Sequence, residues 1–346
     1  MEYDIIIGVS TKNCETTISK IVKKVDKSLT KYFSKYNSLI LCCDGYSKDN
    51  TRDKFNKTKT NVDKKIISEK GKRSKGSALK TIIEKSKPYN FKVILMIDGD
   101  LENIEELWIK RLISQVIEKK YDIALGNYTL DKYDNPISTT LITPLVKSLF
   151  NTNISNLMGG EYCISRKLCL KFIGNKYFPN HSGLDLFITL TSICEGYKIA
   201  EIKLGARNHT SSQLYKNPET ILIPRFNQII KVLIQLILYY KSNIKRHTKN
   251  FVDKKGCFDK QKPRKISIDI KSYNEFSRNY ISDEIEYVQE IYNNINKQSI
   301  TGIKIAWLNW LSIYFKKIKN MSDDEVNIYK EKIIKQFREQ KKLLKL

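Results

Sequence analysis

The sequence predicts an α/β protein with a doubly wound, mostly parallel sheet, followed by a mainly helical C-terminal region. Two observations lead to this fold class. From residue 3 to about residue 125, short apolar segments alternate with segments of helical period. After residue 240 the pattern changes to Lys-rich stretches and then to helical stripes over 283–319 and 323–345. We therefore predict a sheet domain at 1–240 and a basic, mainly helical region at 241–346.

The apolar segments have the length and composition of buried parallel strands. In chain order they are Tyr3–Val9, Ser38–Cys43, Lys65–Ser68, Phe91–Ile97 and Asp122–Leu125. Between them apolar residues recur at helical spacing, as in Ile18, Ile21, Val22, Val25 and Leu29. Sheets of this kind bind ligands beyond the carboxyl ends of their strands, so the polar motifs that follow the strands indicate a site.

The composition limits the class of protein. The 346 residues include 62 Lys or Arg against 37 Asp or Glu, and residues 241–265 hold ten basic and two acidic side chains. Such a run is typical either of a solvated linker or of a surface for anionic lipid, nucleic acid or an acidic substrate. The seven cysteines contain no C-x-x-C pair. This excludes a zinc ribbon or a thioredoxin-like site and favours a reducing, cytoplasmic compartment.

The segment Ile221–Tyr240 is the most apolar window of the chain. It contains too many polar residues for a helix that spans a membrane, namely Arg225, Asn227, Gln228, Lys231 and Gln235. Its apolar residues have helical spacing, which predicts an amphipathic helix that packs on the domain or lies on a membrane surface. We expect no N-terminal targeting segment, and 221–265 is the candidate for peripheral contact with the inner face of a membrane.

The sharpest motif is Asp98-Gly99-Asp100 at the end of an apolar strand. Two carboxylates at this place offer the hard oxygen ligands that Mg²⁺ or Mn²⁺ prefers, with substrate phosphates and water completing the shell. The alternative is a solvated Asp-Gly-Asp turn. Its position beyond a buried strand favours the metal site.

A second motif, Lys70–Leu79 ("KGKRSKGSAL"), opens a helix and suits a phosphate through its basic side chains and backbone N–H groups. It is not a Walker A loop, because Ser77 stands where the lysine is required. Asp44 follows the second strand and can accept hydrogen bonds from a base or ribose. No G-x-G-x-x-G follows the first strand, so a dinucleotide-dependent dehydrogenase is disfavoured. Basic surface turns and Asx turns are the plain alternatives.

Two further motifs and one histidine complete the candidates. Met158-Gly159-Gly160-Glu161 allows close backbone approach to a ligand, and Glu161 and Asp185 can bind hydroxyls or transfer protons. Glycine turns and helix caps explain the same patterns. His209 in "GARNHT" is a candidate nitrogen ligand for Mn²⁺, although a lone histidine is more often structural.

The order of these motifs resembles the GT-A (Rossmann-like) nucleotide-sugar glycosyltransferases of the family 2 type. The matching segments are "IIIGVSTKNCETTI", "CCDGYSKDNT", "KRSKGSALKTI" and "VILMIDGD". Three later segments, "NLMGGEYCISRKL", "SGLDLFITLT" and "GARNHT", are similar to the branch of mannosylglycerate synthase and glucosyl-3-phosphoglycerate synthase. The resemblance covers about residues 3–215.

The resemblance implies a role for each matching residue. Asp100 would act in catalysis and bind Mn²⁺ or Mg²⁺, with His209 as the second protein ligand of the metal. Glu161 would contact the donor sugar, and Asp185 would contact acceptor or donor hydroxyls. The remaining residues would bind the nucleotide sugar: Ser10, Lys12, Asp44 (at the nucleobase), Lys75, Asp98 (near the ribose and metal), Gly159 and Gly160.

The resemblance further implies transfer of a hexose from a UDP- or GDP-sugar to a hydroxyl acceptor, with retention at the anomeric carbon. Asp185 could instead be the base of an inverting enzyme. The acceptor stays open between a small acid, a lipid, a glycan and a protein, and the oligomeric state is not predicted. No Q-x-x-R-W follows residue 185, so a processive synthase is disfavoured.

Two alternatives come from other classes. A nucleotidyltransferase would use a similar sheet and metal site, but "GVSTKN" lacks the glycines that its first loop needs. A non-catalytic basic protein would dock on anionic membrane or nucleic acid through 241–265. The clustering of motifs at strand ends disfavours this as the whole function, and nucleic acid is not the expected partner.

Overall fold

The structure is a computed structural model and describes residues 2–71, 73–211, 219, 222–244, 251–253, 262–274 and 281–345. Its strands form one sheet in the order β3-β2-β1-β4-β6-β5-β7-β8. They are β1 (Ile5–Thr11), β2 (Ser38–Asp44), β3 (Asp63–Ser68), β4 (Val93–Asp98), β5 (Ile123–Thr129), β6 (Tyr162–Ser165), β7 (Ile199–Ala206) and β8 (Phe251–Asp253). The β6 strand is antiparallel to β4 and β5, and the other pairs are parallel. The predicted doubly wound, mostly parallel sheet is confirmed.

Helices cover both faces of this sheet and extend beyond it. The described helices are α1 (Ile18–Tyr32), α2 (Thr51–Lys57), α3 (Lys75–Ser86), α4 (Glu106–Ile117), α5 (Thr143–Phe150), α6 (Arg166–Ile173), α7 (Leu184–Cys194), α8 (Leu222–Tyr239), α9 (Ile270–Asn274), α10 (Glu284–Asn296), α11 (Ile300–Ile318) and α12 (Asp323–Glu339). A π-helical segment, Ser138–Ile142, leads directly into α5.

The five predicted strands correspond to β1–β5, and the sequence analysis missed β6, β7 and the three-residue β8. The β6 strand has only four residues, too few for a periodic signal, and it is held by antiparallel neighbours on both sides. The β7 strand, "IAEIKLGA", interrupts its apolar run with Glu201 and Lys203. Glu201 is buried because its carboxylate accepts the backbone N–H groups of Ser155 and Asn156 at 2.8 and 2.7 Å.

Side chains of the central strands alternate between two apolar layers. In β4, Val93, Leu95 and Ile97 face the layer of α1 and α4, whereas Ile94 and Met96 face the layer of α3 and α8. Burial on both faces explains why these strands read as continuous apolar runs. Burial on both faces also holds the carboxyl ends of the strands in place, and the polar loops begin at these ends.

The C-terminal helices share the second of these layers, and the predicted helical C-terminal region is confirmed. The rings of Phe226 and Trp307 stack with centroids 4.7 Å apart. Trp307 Nε1 donates to Thr140 Oγ1 at 2.9 Å, and the Tyr287 hydroxyl donates to the Thr140 carbonyl at 3.1 Å. Lys132 Nζ donates at 2.8–3.0 Å to the carbonyls of Ile318, Lys319 and Met321. The C-terminal helices thus hold the segment 132–142 in place. The predicted domain boundary between residues 240 and 241 stays a prediction.

The α8 helix is long and apolar enough to cross a membrane by length and composition. Half of that span is buried, and its apolar face packs against α7 and α11. A helix in a protein core passes the same test, so this is weak evidence for a membrane span. Packing on the domain, one of the two predicted fates, is what the structure shows. Membrane contact through 221–265 stays a prediction, and Ile221, 245–250 and 254–261 lie outside the described residues.

The C-terminal helices are joined by a buried carboxylate, Glu284, at the start of α10. The Tyr329 hydroxyl donates to its Oε1 at 2.5 Å, and Lys317 Nζ lies 3.2 Å from the same oxygen. Burial raises the pKa of Glu284, but these donors outweigh burial and lower the pKa to about 2. The ionised form is therefore favoured by folding.

We predict that Glu284→Gln lowers the free energy of unfolding at pH 7 by about 3 kcal/mol, because it removes the charge that Lys317 and Tyr329 stabilise. A depressed folded pKa contributes stability above the unfolded value of 4.5, which is lost as pH falls towards 2. Urea unfolding between pH 7 and 3 measures both effects. The wild type should lose more stability than the variant below pH 4.5, and parallel curves would contradict the prediction.

Candidate active site

A cavity of about 700 Å³ opens at the carboxyl edge of the sheet. This is within the usual size of a pocket for a small ligand. Nine of the eleven predicted site residues line it: Ser10, Lys12, Lys75, Asp98, Asp100, Gly159, Gly160, Asp185 and His209. The other two, Asp44 and Glu161, lie behind its wall. The convergence of motifs that are far apart in sequence follows from the parallel strands that carry them.

Lys75 is the central cation of the cavity. It is the first residue of α3, whose N-terminus is capped by the Ser74 side chain. Its Nζ lies 2.8 Å from Asp98 Oδ1 and 3.3 Å from Asp185 Oδ1, and it donates to the Gly160 carbonyl at 2.7 Å. Burial lowers the pKa of Lys75, but the two carboxylates outweigh burial and raise it. Lys75 is therefore charged at neutral pH.

Arg207, which the sequence analysis did not select, is the second cation. It follows β7 directly, so its side chain reaches the same edge as Asp98. Its Nε donates to Glu161 Oε2 at 2.9 Å, and its Nη2 donates to Glu161 Oε1 at 3.1 Å and to Asp98 Oδ2 at 2.9 Å. A basic residue directly after a buried strand would be the signal for Arg207, but the sequence pattern did not predict β7 itself.

Asp98 and Asp185 both contact Lys75, but their pKa values are shifted in opposite directions. Burial raises the pKa of both carboxyls. At Asp98, Lys75 and Arg207 outweigh burial, so the pKa lies below its usual value. At Asp185 burial prevails over Lys75, and the pKa is raised. Carboxyls whose pKa values are pushed apart can take different roles, with Asp98 a constant anion and Asp185 able to exchange a proton.

Glu161 was predicted to contact the donor sugar. Its side chain is only 2% exposed, and both of its oxygens are bound by Arg207. The structure therefore places Glu161 as the residue that orients Arg207. Gly160 adopts a φ of +88°, and a Cβ there would lie 2.8 Å from Arg207 Nη2. This is the physical reason for the glycine, and contact of Gly159 and Gly160 with a sugar stays a prediction.

Asp44 is completely buried and does not reach the cavity. The Ser47 hydroxyl donates to its Oδ1 at 2.6 Å, and Arg52 Nη1 donates to its Oδ2 at 3.1 Å. These contacts hold the loop after β2. The predicted contact of Asp44 with a nucleobase stays a prediction, and the neighbouring Gly45 lines the cavity in its place.

The predicted metal ligands lie together. An isolated bridge between Leu101 and His209 brings the two loops side by side, and His209 Nδ1 is 3.8 Å from Asp100 Oδ2. The Ser211 hydroxyl lies 2.8 Å from each of these atoms. Two atoms that bind one ion at about 2.1 Å lie at most about 4.2 Å apart, so both can reach one cation.

An oxygen and a nitrogen donor suit Mn²⁺ or Mg²⁺. Among the described residues no group of three His, Cys, Asp or Glu side chains could hold a metal alone. The shell would therefore be completed by phosphate oxygens and water, as is usual for Mg²⁺. Asp134, also missed in the sequence, is buried beyond His209, with Oδ2 at 3.7 Å from Nε2.

Residues 6–165 match the family model of glycosyl transferase family 2. The match includes β1–β6 with Lys75, Asp98 and Glu161, and it confirms the predicted resemblance and the enzyme class, a nucleotide-sugar-dependent glycosyltransferase. No curated protein sequence matches the chain significantly.

The fold is similar to that of glucosyl-3-phosphoglycerate synthase from Mycobacterium tuberculosis. In its complex with Mn²⁺, UDP and glucosyl-3-phosphoglycerate the TM-score is 0.54 at 19% identity, covering 68% of this chain and 80% of that one. In its complex with Mg²⁺ and UDP the TM-score is 0.55 and the sequence identity 17%. This match covers 72% of this chain and 88% of that one. At such identities the likeness shows the shared fold.

The Arg207–Glu161 pair generates a prediction about stability. Arg207→Met should lower the free energy of unfolding by about 3–5 kcal/mol, because it leaves the Glu161 charge buried and unpaired. Adding Glu161→Gln should recover at least about 1 kcal/mol of this loss. Denaturant unfolding of the single and double variants measures the coupling. Arg338→Met, at an exposed residue of α12, is the control and should change stability by less than about 0.5 kcal/mol. Additive losses would show that the pair is not coupled.

Proposed function

We propose that the chain transfers a hexose from a UDP- or GDP-sugar to the hydroxyl of a small acid, with Mn²⁺ or Mg²⁺ held by Asp100 and His209. One observation carries the proposal. The cavity places two partly buried cations, Lys75 and Arg207, among carboxylates directly beside the candidate metal ligands. Structures of the M. tuberculosis synthase contain Mn²⁺ or Mg²⁺ with UDP, which agrees with the predicted cofactor and donor.

The diphosphate of the donor would lie beside Asp100, Lys75 and the start of α3. Cleavage of the sugar–phosphate bond leaves negative charge on the departing phosphate, and a bound divalent cation would neutralise part of it. Lys75 is fixed by three acceptors and needs no rearrangement to face that charge. Such preorganised charge lowers the barrier because it acts more strongly on the transition state than on the bound donor.

The sugar would lie between the Gly159–Gly160 backbone and Asp185. As the bond breaks, positive charge develops at the anomeric carbon, and a nearby carboxylate stabilises it. Asp185 lines the cavity, and among the residues that the structure describes its Oδ1 contacts only Lys75 Nζ, at 3.3 Å. Glu161 would act through Arg207 as a positioning residue, because both of its oxygens are occupied.

We further propose that the anomeric configuration is retained. Asp98 and Glu161 are both bound by cations, which makes them poor bases towards an acceptor hydroxyl. A phosphate oxygen of the departing nucleotide could then accept the hydroxyl proton on the same face of the sugar. Asp185 is the alternative base, and its raised pKa is the property that an inverting enzyme would use.

The acceptor would enter beside the N-terminus of α8. Arg225 lines the cavity there, and within the described parts of the chain it has no salt-bridge partner. Ser182, whose N–H donates to Gln228 Oε1 at 3.1 Å, lies on the same side. A cation at this wall favours an acceptor with a carboxylate or phosphate. The M. tuberculosis synthase is described with phosphoglyceric acid and with glycerol 3-phosphate.

The metal assignment predicts the behaviour of Asp100→Asn. UDP and Mn²⁺ are each added at a concentration about 100 times the dissociation constant. The melting temperature of the wild type should then lie a few degrees above its value without ligands. In the variant this shift should fall to less than half, because one metal ligand is lost. Asp53→Asn, at an exposed residue of α2, is the control for removal of one charge. An undiminished shift in Asp100→Asn would contradict the assignment.

The stereochemical proposal is tested by proton NMR of the first product formed from an α-linked donor with an axial H2, such as UDP-glucose. Retention gives the small coupling constant of an α-anomeric proton, and a large constant would overturn the proposal. Asp185→Asn separates the alternatives further, because loss of a required base should reduce turnover at least about 100-fold. If Asp185 only stabilises charge, some turnover and a retained product are expected.

A further inference from the structure

A further carboxylate, Glu69, faces the cavity at the end remote from the metal ligands. Glu69 follows β3 directly, is only 4% exposed and lines the same cavity as Asp100. Its N–H donates to the Asp44 carbonyl at 3.0 Å, so it lies beside Gly45 at the carboxyl edge. Between β4 and β3 the sheet has three strand spacings, roughly 14 Å. A donor whose diphosphate lies at β4 would therefore extend its ribose and base towards Glu69.

The two oxygens of Glu69 have different surroundings. Oε1 accepts the Ser74 N–H at 2.6 Å, which fixes the carboxylate against the loop before α3. Oε2 lies 3.1 Å from the position that a Cβ at Gly45 would occupy. In the described part of the chain, which omits residue 72, no group donates a hydrogen bond to Oε2. One acceptor oxygen of a fixed, buried carboxylate is thus available at the cavity.

Lys12 and Arg73 lie near Glu69 but do not bind it. Burial raises the pKa of the Glu69 carboxyl, and these two cations oppose this effect only in part. No described cation lies within 4 Å of its oxygens. An N–H donor of a ligand would supply the missing hydrogen bond, and a buried acceptor left without one costs about 1–3 kcal/mol.

Tyr46 follows Gly45 and supplies a flat surface beside Arg73, which lines the cavity. Its φ of 60° is unusual for a bulky residue and costs about 1–2 kcal/mol. Its ring is 48% exposed, and the Arg73 guanidinium carbon lies 4.8 Å from the ring centroid. Strained backbone positions cluster at active sites and ligand-binding sites. A planar base can stack on such a pair.

We propose that Glu69 selects the base of the nucleotide donor by accepting its ring N–H, with Tyr46 and Arg73 as the stacking surface. Uracil offers N3–H and guanine offers N1–H at the corresponding edge. Cytosine and adenine present an unprotonated ring nitrogen there, whose lone pair would face Oε2. The inference rests on the proposed function, since it takes the cavity to be the donor site. It assigns to Glu69 the contact that the sequence analysis expected of Asp44.

Glu69→Gln tests the assignment without a change of shape. The glutamine oxygen should keep the Ser74 N–H, which turns its NH₂ group towards the base. An acceptor is thereby replaced by a donor. Dissociation constants for UDP, GDP, CDP and ADP with Mn²⁺ are measured by calorimetry. The wild type should prefer UDP or GDP, and the variant should bind the preferred nucleotide at least about tenfold more weakly. Its affinity for CDP should rise, because cytosine N3 can accept the new N–H.

Asp63→Asn is the matched control, since it removes one charge at the other end of β3 and should leave all four constants unchanged. Tyr46→Gly is a second variant whose folding is secure, because glycine adopts a positive φ without strain. It should weaken every nucleotide about tenfold without lowering the melting temperature.

The outcomes separate the two proposals. If the wild type binds none of the four nucleotides, the proposed function and the role of Glu69 are both overturned. If the wild type binds UDP or GDP and Glu69→Gln leaves the selectivity unchanged, only the role of Glu69 is overturned. A wild type that prefers CDP or ADP overturns it as well.

Discussion

The site depends on one buried set of ion pairs, in which Lys75 and Arg207 hold Asp98 between them. Removing these charges from water is costly, and the cost is recovered only while each has its partners in place. The partners come from the start of α3 and the ends of β4 and β7, together with Asp185 of α7 and Glu161 before β6. The apolar layers on both faces of the sheet fix the positions of these strand and helix ends. The arrangement of charges in the cavity therefore depends on the packing of the core.

Much of this arrangement could be predicted from the sequence. Asp98, Asp100 and Lys75 stand at the ends of strongly apolar elements, and chain order alone brings such positions to one edge. Arg207 and Asp134 could not be found in this way. Arg207 follows a strand whose pattern is broken by the buried Glu201, and Asp134 lies in a loop without periodicity. Their roles depend on pairing between strands that are distant in sequence, which a one-dimensional pattern does not record.

Asp44 illustrates a different limit. A carboxylate after a buried strand has the same signature whether it faces a ligand or ties its own loop, and here Ser47 and Arg52 occupy it. Glu69 follows a strand whose residues are largely exposed, so no apolar run in the sequence marks Glu69 as a residue at a strand end. Which of two adjacent carboxylates turns towards the cavity is decided by local hydrogen bonds. Residue type and spacing therefore locate the edge of a site better than they assign the contacts within it.

The bonds from Lys132 to the end of α11 have a consequence for synthesis of the protein. They join residues that are 186 to 189 positions apart. All residues that form the Glu69 end of the cavity belong to the first hundred residues, which leave the ribosome first. The wall next to Asp134 is held by the end of α11. That segment is synthesised about 10–40 s later at ordinary translation rates. The nascent chain therefore completes the Glu69 end of the cavity before the wall next to Asp134.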